Sequence, residues 1–224
     1  MNYNISVINL YSRPDRLKLF QDVVDQLQTP VNVLSAVDSI KADKMLAQKE
    51  VYADNHWLDP LLDEPIKIGE VGCFLSHFLL WSSCLEQKKP LLIFEDDVHT
   101  NEYFDKQSFD KEINNFLNSD ADIHYLAWND MGTGDFYPYW ACAYMIKPEA
   151  AEKLIQTDIL NNLIPTDEYL PLMLGAKPFT DSESLKEHYK RLDKYEKLIY
   201  SNSNEQMFKP YPRTVLGSDI EKEY

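Results

Sequence analysis

LLIFEDDVHT, residues 91–100, carries both the fold and the question of function. Leu91 to Phe94 read as a buried strand, and the strand runs straight into three carboxylates, Glu95, Asp96 and Asp97. Three negative charges at a strand end repel one another and lose hydration unless something positive offsets them. A hard divalent cation such as Mg²⁺ or Mn²⁺ prefers oxygen ligands. It often takes only one or two protein carboxylates and completes its shell with water and phosphate oxygens. Alternation along extended chain puts Glu95 and Asp97 on one side and Asp96 on the other. The outer pair therefore suits a metal diphosphate, and the middle carboxylate is left for another task. Spacing alone leaves a plainer alternative open, a solvated acidic strand end with no ligand.

The neighbouring segments read as alternating strands and helices. Upstream, GEVGCFLSHFLLWSSCLEQKK (69–89) is a helix with a broad apolar face through Val71, Phe74, Leu75, Phe78, Leu79 and Leu85, ended by Pro90. The chain opens with ISVINL (5–10), a buried strand, and a helix follows over residues 11–28. Ser12 reads as its N-cap, with Pro14 in the first turn and Leu17, Phe20, Val24 and Leu27 at helical spacing. TPVNVLSAVD (29–38) is a turn and a strand, so the opening is β-α-β with parallel pairing expected. Residues 39–68 read as a polar connection with one short helix near 41–51. Strands are expected over 122–130 and 139–146, helices over 147–156, 166–174 and 182–199, and a strand-poor tail after them. No repeat, low-complexity tract or composition break divides the chain. The pattern is an α/β domain with a mainly parallel sheet, in which sites gather at the carboxyl ends of strands.

The balance of 37 acidic against 22 basic residues gives a net charge of −15. A nucleic-acid surface needs clustered Lys and Arg, so that partner is disfavoured. An anionic membrane is disfavoured in the same way unless a local basic patch exists, and peripheral association stays open. The acidity suits a divalent cation, and surface solubility explains it equally well. Cys73, Cys84 and Cys142 are scattered and apolar in setting, which reads as reduced thiols. No basic leader precedes ISVINL, and no run of about 18 apolar residues stands out. A soluble intracellular protein is the expectation.

VINLYSRPDR, AVD, GEVGCFLSHFLLW and LLIFEDDV occur in order over residues 7–98. With YWACAYMIKPEAAEKLI, IPTDEYLP and GSDIE further on, they make the chain resemble glycosyltransferase family 25. That family includes bacterial lipooligosaccharide galactosyltransferases and animal procollagen galactosyltransferases. The resemblance implies one GT-A-type nucleotide-sugar transferase domain over residues 1–224, with the nucleotide-sugar half at about 1–100 and the acceptor side at 101–224. It implies Mn²⁺ (or Mg²⁺) at the acidic motif and inverting transfer of a hexose, typically galactose from UDP-galactose. The acceptor is a hydroxyl, on hydroxylysine in a collagen-like protein or on a lipooligosaccharide-type glycan. A non-catalytic nucleotide-sugar or glycan-binding module of the same fold is the alternative, and the intact acidic motif argues against it. A phosphoryl-transfer enzyme is disfavoured by the lack of a GxxxxGK[ST] loop.

Under this resemblance Glu95 and Asp97 are metal ligands, joined by Asp219 from the GSDIE segment, and Asp96 contacts donor hydroxyls. Asn9, Arg13 and Arg16 follow the first strand, where a nucleotide is commonly held; Arg grips phosphate through two parallel hydrogen bonds. Asp38 meets the uridine or simply ends a strand. Gly69 and Glu70 open the helix at 69, and Glu70 bonds sugar hydroxyls or caps that helix. Ser76 and His77 lie one turn on. A histidine on an apolar helix is more often a core residue, and the resemblance alone makes His77 a site candidate. Asp167 and Glu168 are candidates for the base that takes the acceptor proton, with N-capping as the competing role of Asp167. Trp128, with Asn129 and Asp130, is placed at the acceptor cleft or, for Trp128, in the core.

Overall fold

A computed structural model describes residues 2–132, 134 and 136–212. Its central sheet has six strands in the order β2 (Asn32–Ser35), β1 (Asn4–Asn9), β3 (Leu91–Glu95), β8 (Ala143–Ile146), β5 (Ile123–Tyr125) and β9 (Tyr200–Asn202). β1 pairs in parallel with β2 and with β3, and β5 pairs in parallel with β9. Only β8 runs against its neighbours, β3 and β5. The expected α/β architecture with a mainly parallel sheet is thus present. Two short ribbons flank it: β4 (Val98–Thr100) with β10 (Phe208–Pro210), and β6 (Asn129–Asp130) with β7 (Pro138–Tyr139).

The apolar run of β3 follows from this position. Leu91 and Ile93 face one core and Leu92 and Phe94 the other, so the strand is covered on both sides and shows no polar alternation. On the first side lie α2 (Ser39–Ala47), α3 (Ile68–Gln87), α5 (Pro148–Ile155), α6 (Thr166–Met173) and α7 (Glu183–Leu192). On the second lie α1 (Pro14–Leu27), through Phe20, Val23 and Leu27, and α4 (Lys106–Leu117), through Phe109, Ile113 and Phe116. α3 is long and apolar enough to cross a bilayer, with mean hydropathy 1.3, which the sequence reading did not anticipate. Its Val71, Phe74, Leu75, Leu80, Trp81 and Cys84 are instead packed into the first core.

Several boundaries differ from expectation. The N-cap of α1 is Arg13, not Ser12, because Pro14 occupies the first helical position. α7 stops at Leu192 rather than near 199, since the Leu198 amide turns to the Met173 carbonyl and Lys197 Nζ covers the Leu192 carbonyl. The tail is not strand-poor: β9 extends the sheet and β10 closes over β4. α4 was not anticipated, although Phe109, Ile113 and Phe116 recur at helical spacing.

One close approach positions the site. A Cβ on Gly72 would sit 2.4 Å from the Val37 carbonyl oxygen, so only glycine lets α3 pack against the segment after β2. Ser76, one turn on and buried, accepts from the Val37 amide at 2.8 Å and donates to the Gly72 carbonyl at 2.7 Å. Together they fix the loop beyond β2 to the start of α3.

Candidate active site

A cleft opens at the carboxyl ends of β1, β2 and β3, where the start of α3 meets them. Leu10, Val37, Asp38, Ser39, Gly69, Cys73, Ser76, Glu95 and Asp96 line it. Asp38, Gly69, Ser76, Glu95 and Asp96 thus lie on one cleft, Asn9 joins them through its bond to Asp96, and the hydroxyl of Ser76 already serves the α3 contact. Asp38 also caps α2, accepting from the Lys41 amide at 2.8 Å. Glu70 caps α3 by accepting from the Lys67 amide at 2.7 Å, and burial pushes its carboxyl up.

The three carboxylates of the motif have separate environments. Asp96 turns inward and is buried, taking a hydrogen bond from Asn9 Nδ2 at 2.5 Å and an ion pair from Arg16 at 3.4 Å. Asn9 also bonds the Arg13 carbonyl at 3.0 Å, which ties the loop after β1 to the acidic motif. The Arg13 guanidinium pairs with Asp15 at 2.8 Å. Glu95, on the opposite side, has a side chain 26% exposed on the cleft floor, where Oε1 meets His77 Nε2 at 3.0 Å and Cys73 Sγ at 3.6 Å. Asp97 buries Oδ1 with no hydrogen-bond partner.

The state of His77 follows from its partners. Trp81 Nε1 can only donate, and it bonds the Tyr144 hydroxyl at 2.8 Å. Tyr144 in turn bonds His77 Nδ1 at 2.8 Å. With Trp81 supplying a hydrogen to its oxygen, Tyr144 gives its own hydrogen to Nδ1, and the imidazole proton belongs on Nε2, where it is donated to Glu95. Burial holds His77 down to about 4, so it is neutral at physiological pH. The contact with Glu95 is a hydrogen bond from a neutral ring, not an ion pair.

Asp167, at the start of α6, accepts from the Ala141 amide at 2.7 Å through Oδ1. It does not cap its own helix. Burial pushes its carboxyl up to about 7, and the charges of Glu95 and Asp97 add to the shift. Glu95 is raised to about 7 by burial and Asp96. Asp97 is raised to about 7 by burial, Glu95 and Asp96. Their mutual charges tie Glu95, Asp97 and Asp167 into one electrostatic cluster, with Arg16 relieving Glu95 and Asp97 in part. A divalent cation fits: the oxygen donors are the right kind, Arg16 is engaged with Asp96, and Asp97 Oδ1 lacks any partner. Glu168 is 1% exposed and lies within reach of Asp167, Asp59 and Glu70, and burial holds it well above the carboxylate range. The Tyr139 phenol lies beside it but outside hydrogen-bond geometry.

Trp128 is half-buried beside Phe136. Asp219 lies outside the described residues. The sequence reading missed Cys73, which it treated only as a buried thiol, and the Trp81–Tyr144 pair behind His77. The i, i+4 spacing of Cys73 and His77 on one helix was the available signal. Tyr144 is 67 residues from His77 and gave none.

Fold and site together define an α/β protein with an acidic cleft at the carboxyl edge of its sheet. The model of glycosyltransferase family 25 (LPS biosynthesis protein) matches residues 2–138, more than half of the 224 residues, and the chain belongs to that family. A glycosyltransferase 25 family member of Aedes aegypti is 29% identical over 202 residues, covering 84% of this chain and 33% of the relative. One from Drosophila melanogaster is 31% identical over 193 residues, covering 78% and 31%. Procollagen galactosyltransferase 2 of Mus musculus is 28% identical over 216 residues, covering 84% and 32%. The chain spans about one third of the length of these relatives.

Proposed function

We propose that this chain is the catalytic unit of a metal-dependent, inverting hexosyltransferase of GT-A type. It moves galactose from UDP-galactose to a hydroxyl of hydroxylysine or of a lipooligosaccharide-type glycan. The observation that carries the reading is the electrostatic cluster of Glu95, Asp97 and Asp167, with Glu95 on the cleft wall, in a family 25 chain. Similarity to procollagen galactosyltransferases supports the donor and the class of acceptor.

In this reading the nucleoside occupies the cleft between Leu10, Val37, Asp38 and Gly69, with Arg13 near its phosphates. Glu95 and Asp97 would hold Mn²⁺ or Mg²⁺, which when bound would neutralise the diphosphate and stabilise departing UDP. His77 donates Nε2–H to Glu95 and orients that carboxylate. Arg16 and Asn9 hold Asp96 inward and set the turn. Asp167 is the base: Oδ1 is fixed by the Ala141 amide, and Oδ2 takes the acceptor hydroxyl proton. The acceptor oxygen then bonds the anomeric carbon as the bond from that carbon to the UDP oxygen breaks. A carboxyl raised to about 7 suits proton transfer at neutral pH.

The test is UDP-sugar binding and turnover by the purified chain, with and without Mn²⁺, across UDP-galactose, UDP-glucose and UDP-N-acetyl sugars. Metal-dependent turnover of UDP-galactose, abolished in Asp97→Ala, is expected. No binding of any UDP-sugar in Mn²⁺ overturns the reading.

A further inference from the structure

We infer that Cys73, His77 and Glu95 form a site for a thiophilic divalent cation, of which Zn²⁺ is the type. This goes beyond the Mn²⁺ or Mg²⁺ of the transferase reading, because it enlists a sulfur and a nitrogen that such hard cations do not seek.

The geometry is that of a partly assembled metal centre. Cys73 and His77 are one turn apart on α3 and present their side chains on one face. Cys73 Sγ lies 3.6 Å from Glu95 Oε1, and His77 Nε2 lies 3.0 Å from the same oxygen. All three donor atoms fall within 4.8 Å of one another. Bonds of 2.0–2.3 Å at tetrahedral angles set zinc ligand atoms roughly 3.3–3.7 Å apart. Thiolate, imidazole and carboxylate with an open fourth position make a complete zinc donor set. The far side of the imidazole is fixed too, as metal-bound histidines require: Nδ1 sits 2.8 Å from the Tyr144 hydroxyl. His77 is fully buried, and Cys73 lines the cleft, so a cation has a route in.

Protons balance as follows. In the metal-free protein, burial and Glu95 keep the Cys73 thiol protonated. Binding releases that proton to solvent. The imidazole stays neutral, its proton moving from Nε2 to Nδ1. There the phenol hydrogen of Tyr144 rotates out of the Nδ1 contact, and the Tyr144 oxygen, already accepting from Trp81, accepts Nδ1–H with its second lone pair. Glu95 belongs to both this site and the Glu95–Asp97 pair, so a cation on Cys73 and His77 withdraws Glu95 from the diphosphate cation. Zinc is therefore an antagonist of the hard cation in this cleft.

The experiment uses the full chain alone, so it stands or falls independently of transferase activity. Chelator-stripped protein, in a non-thiol reductant, is titrated with Co²⁺. A near-ultraviolet thiolate-to-cobalt charge-transfer band and intense visible bands of a low-coordinate ion are expected, both bleached by Zn²⁺. Cys73→Ser, and Cys73→Ala should the serine variant fold poorly, are expected to lose the charge-transfer band while keeping the wild-type metal-free melting profile. No charge-transfer band in wild type, or a band that survives removal of Cys73, overturns the inference.

Discussion

Tyr144→Phe removes one oxygen and nothing else. Tyr144 is fully buried, and its hydroxyl joins two groups that are themselves buried, Trp81 Nε1 and His77 Nδ1, each at 2.8 Å. Phenylalanine fills the same volume, so no cavity term enters. What remains is a donor and an acceptor stranded away from water, each costing about 1–3 kcal/mol. Allowing for some relaxation, the variant is expected to lose about 2–5 kcal/mol, read as a fall of roughly 5–15 °C in Tm for a domain of this size. Urea unfolding of the metal-free protein near neutral pH supplies the free energy. Ring ¹⁵N spectra of His77 supply the mechanism: the proton sits on Nε2, facing Glu95, in both proteins, and the Nδ1 resonance shifts in the variant as its hydrogen bond is lost. A loss below about 0.5 kcal/mol, the level of an ordinary surface change, refutes the hydrogen-bond chain. So does a wild-type ring protonated on Nδ1.

Asp97→Asn tests the repulsion among the carboxylates. Its folded-state carboxyl is raised to about 7, above the ordinary value near 3.9, so the native state binds the proton more tightly and the ionised form is penalised. That penalty is absent at low pH, grows as pH rises from about 4 through 7, and is full above it. In chelator, the variant is expected to be more stable than wild type at high pH, with the gain vanishing in acid; a pH-independent difference in melting temperature contradicts this. Arg16→Met leaves Asp96 buried without its cation, with side chains only 11% and 8% exposed. A loss of about 3–5 kcal/mol in urea unfolding is expected, and a loss under 1 kcal/mol, in the range of an exposed pair, contradicts it. Asp167→Asn keeps the acceptor for the Ala141 amide and removes the base. It is expected to lower kcat about 10²–10⁴-fold with UDP binding by calorimetry unchanged, and weakened UDP binding would move Asp167 to a donor-holding role.

The readable features were those written in local pattern. β3 announced itself because a strand covered on both faces is apolar without interruption, and α3 because its periodic face is wide. Alternation alone separated Asp96 from Glu95 and Asp97, and the structure buries Asp96 on the side of Asn9 and Arg16. What escaped lacks such a pattern. β9 contributes three residues at the sheet edge and places two of them in solvent, so no alternation betrays it. The stop of α7 is set by a carbonyl of α6, not by a residue in α7 itself. The environment of His77 depends on a tyrosine from β8, brought across the sheet by the antiparallel pairing of β8 with β3.

That pairing also answers why a buried strand runs into three negative charges. Each carboxylate is met by something different. Asp96 receives Arg16 and Asn9, a full charge and an amide, and becomes part of the framework. Glu95 receives only the neutral imidazole of His77 and the weak thiol of Cys73, enough to orient it but not to cancel its charge. Asp97 receives no side-chain partner at Oδ1, and Asp167 adds a fourth negative group with only a backbone amide to steady it. The protein thus pairs Arg16 directly with Asp96, and the same charge relieves Glu95 and Asp97 only in part. Such uneven compensation stabilises the fold poorly, and under the transferase reading it is what would let Glu95 and Asp97, both raised to about 7, share a diphosphate cation.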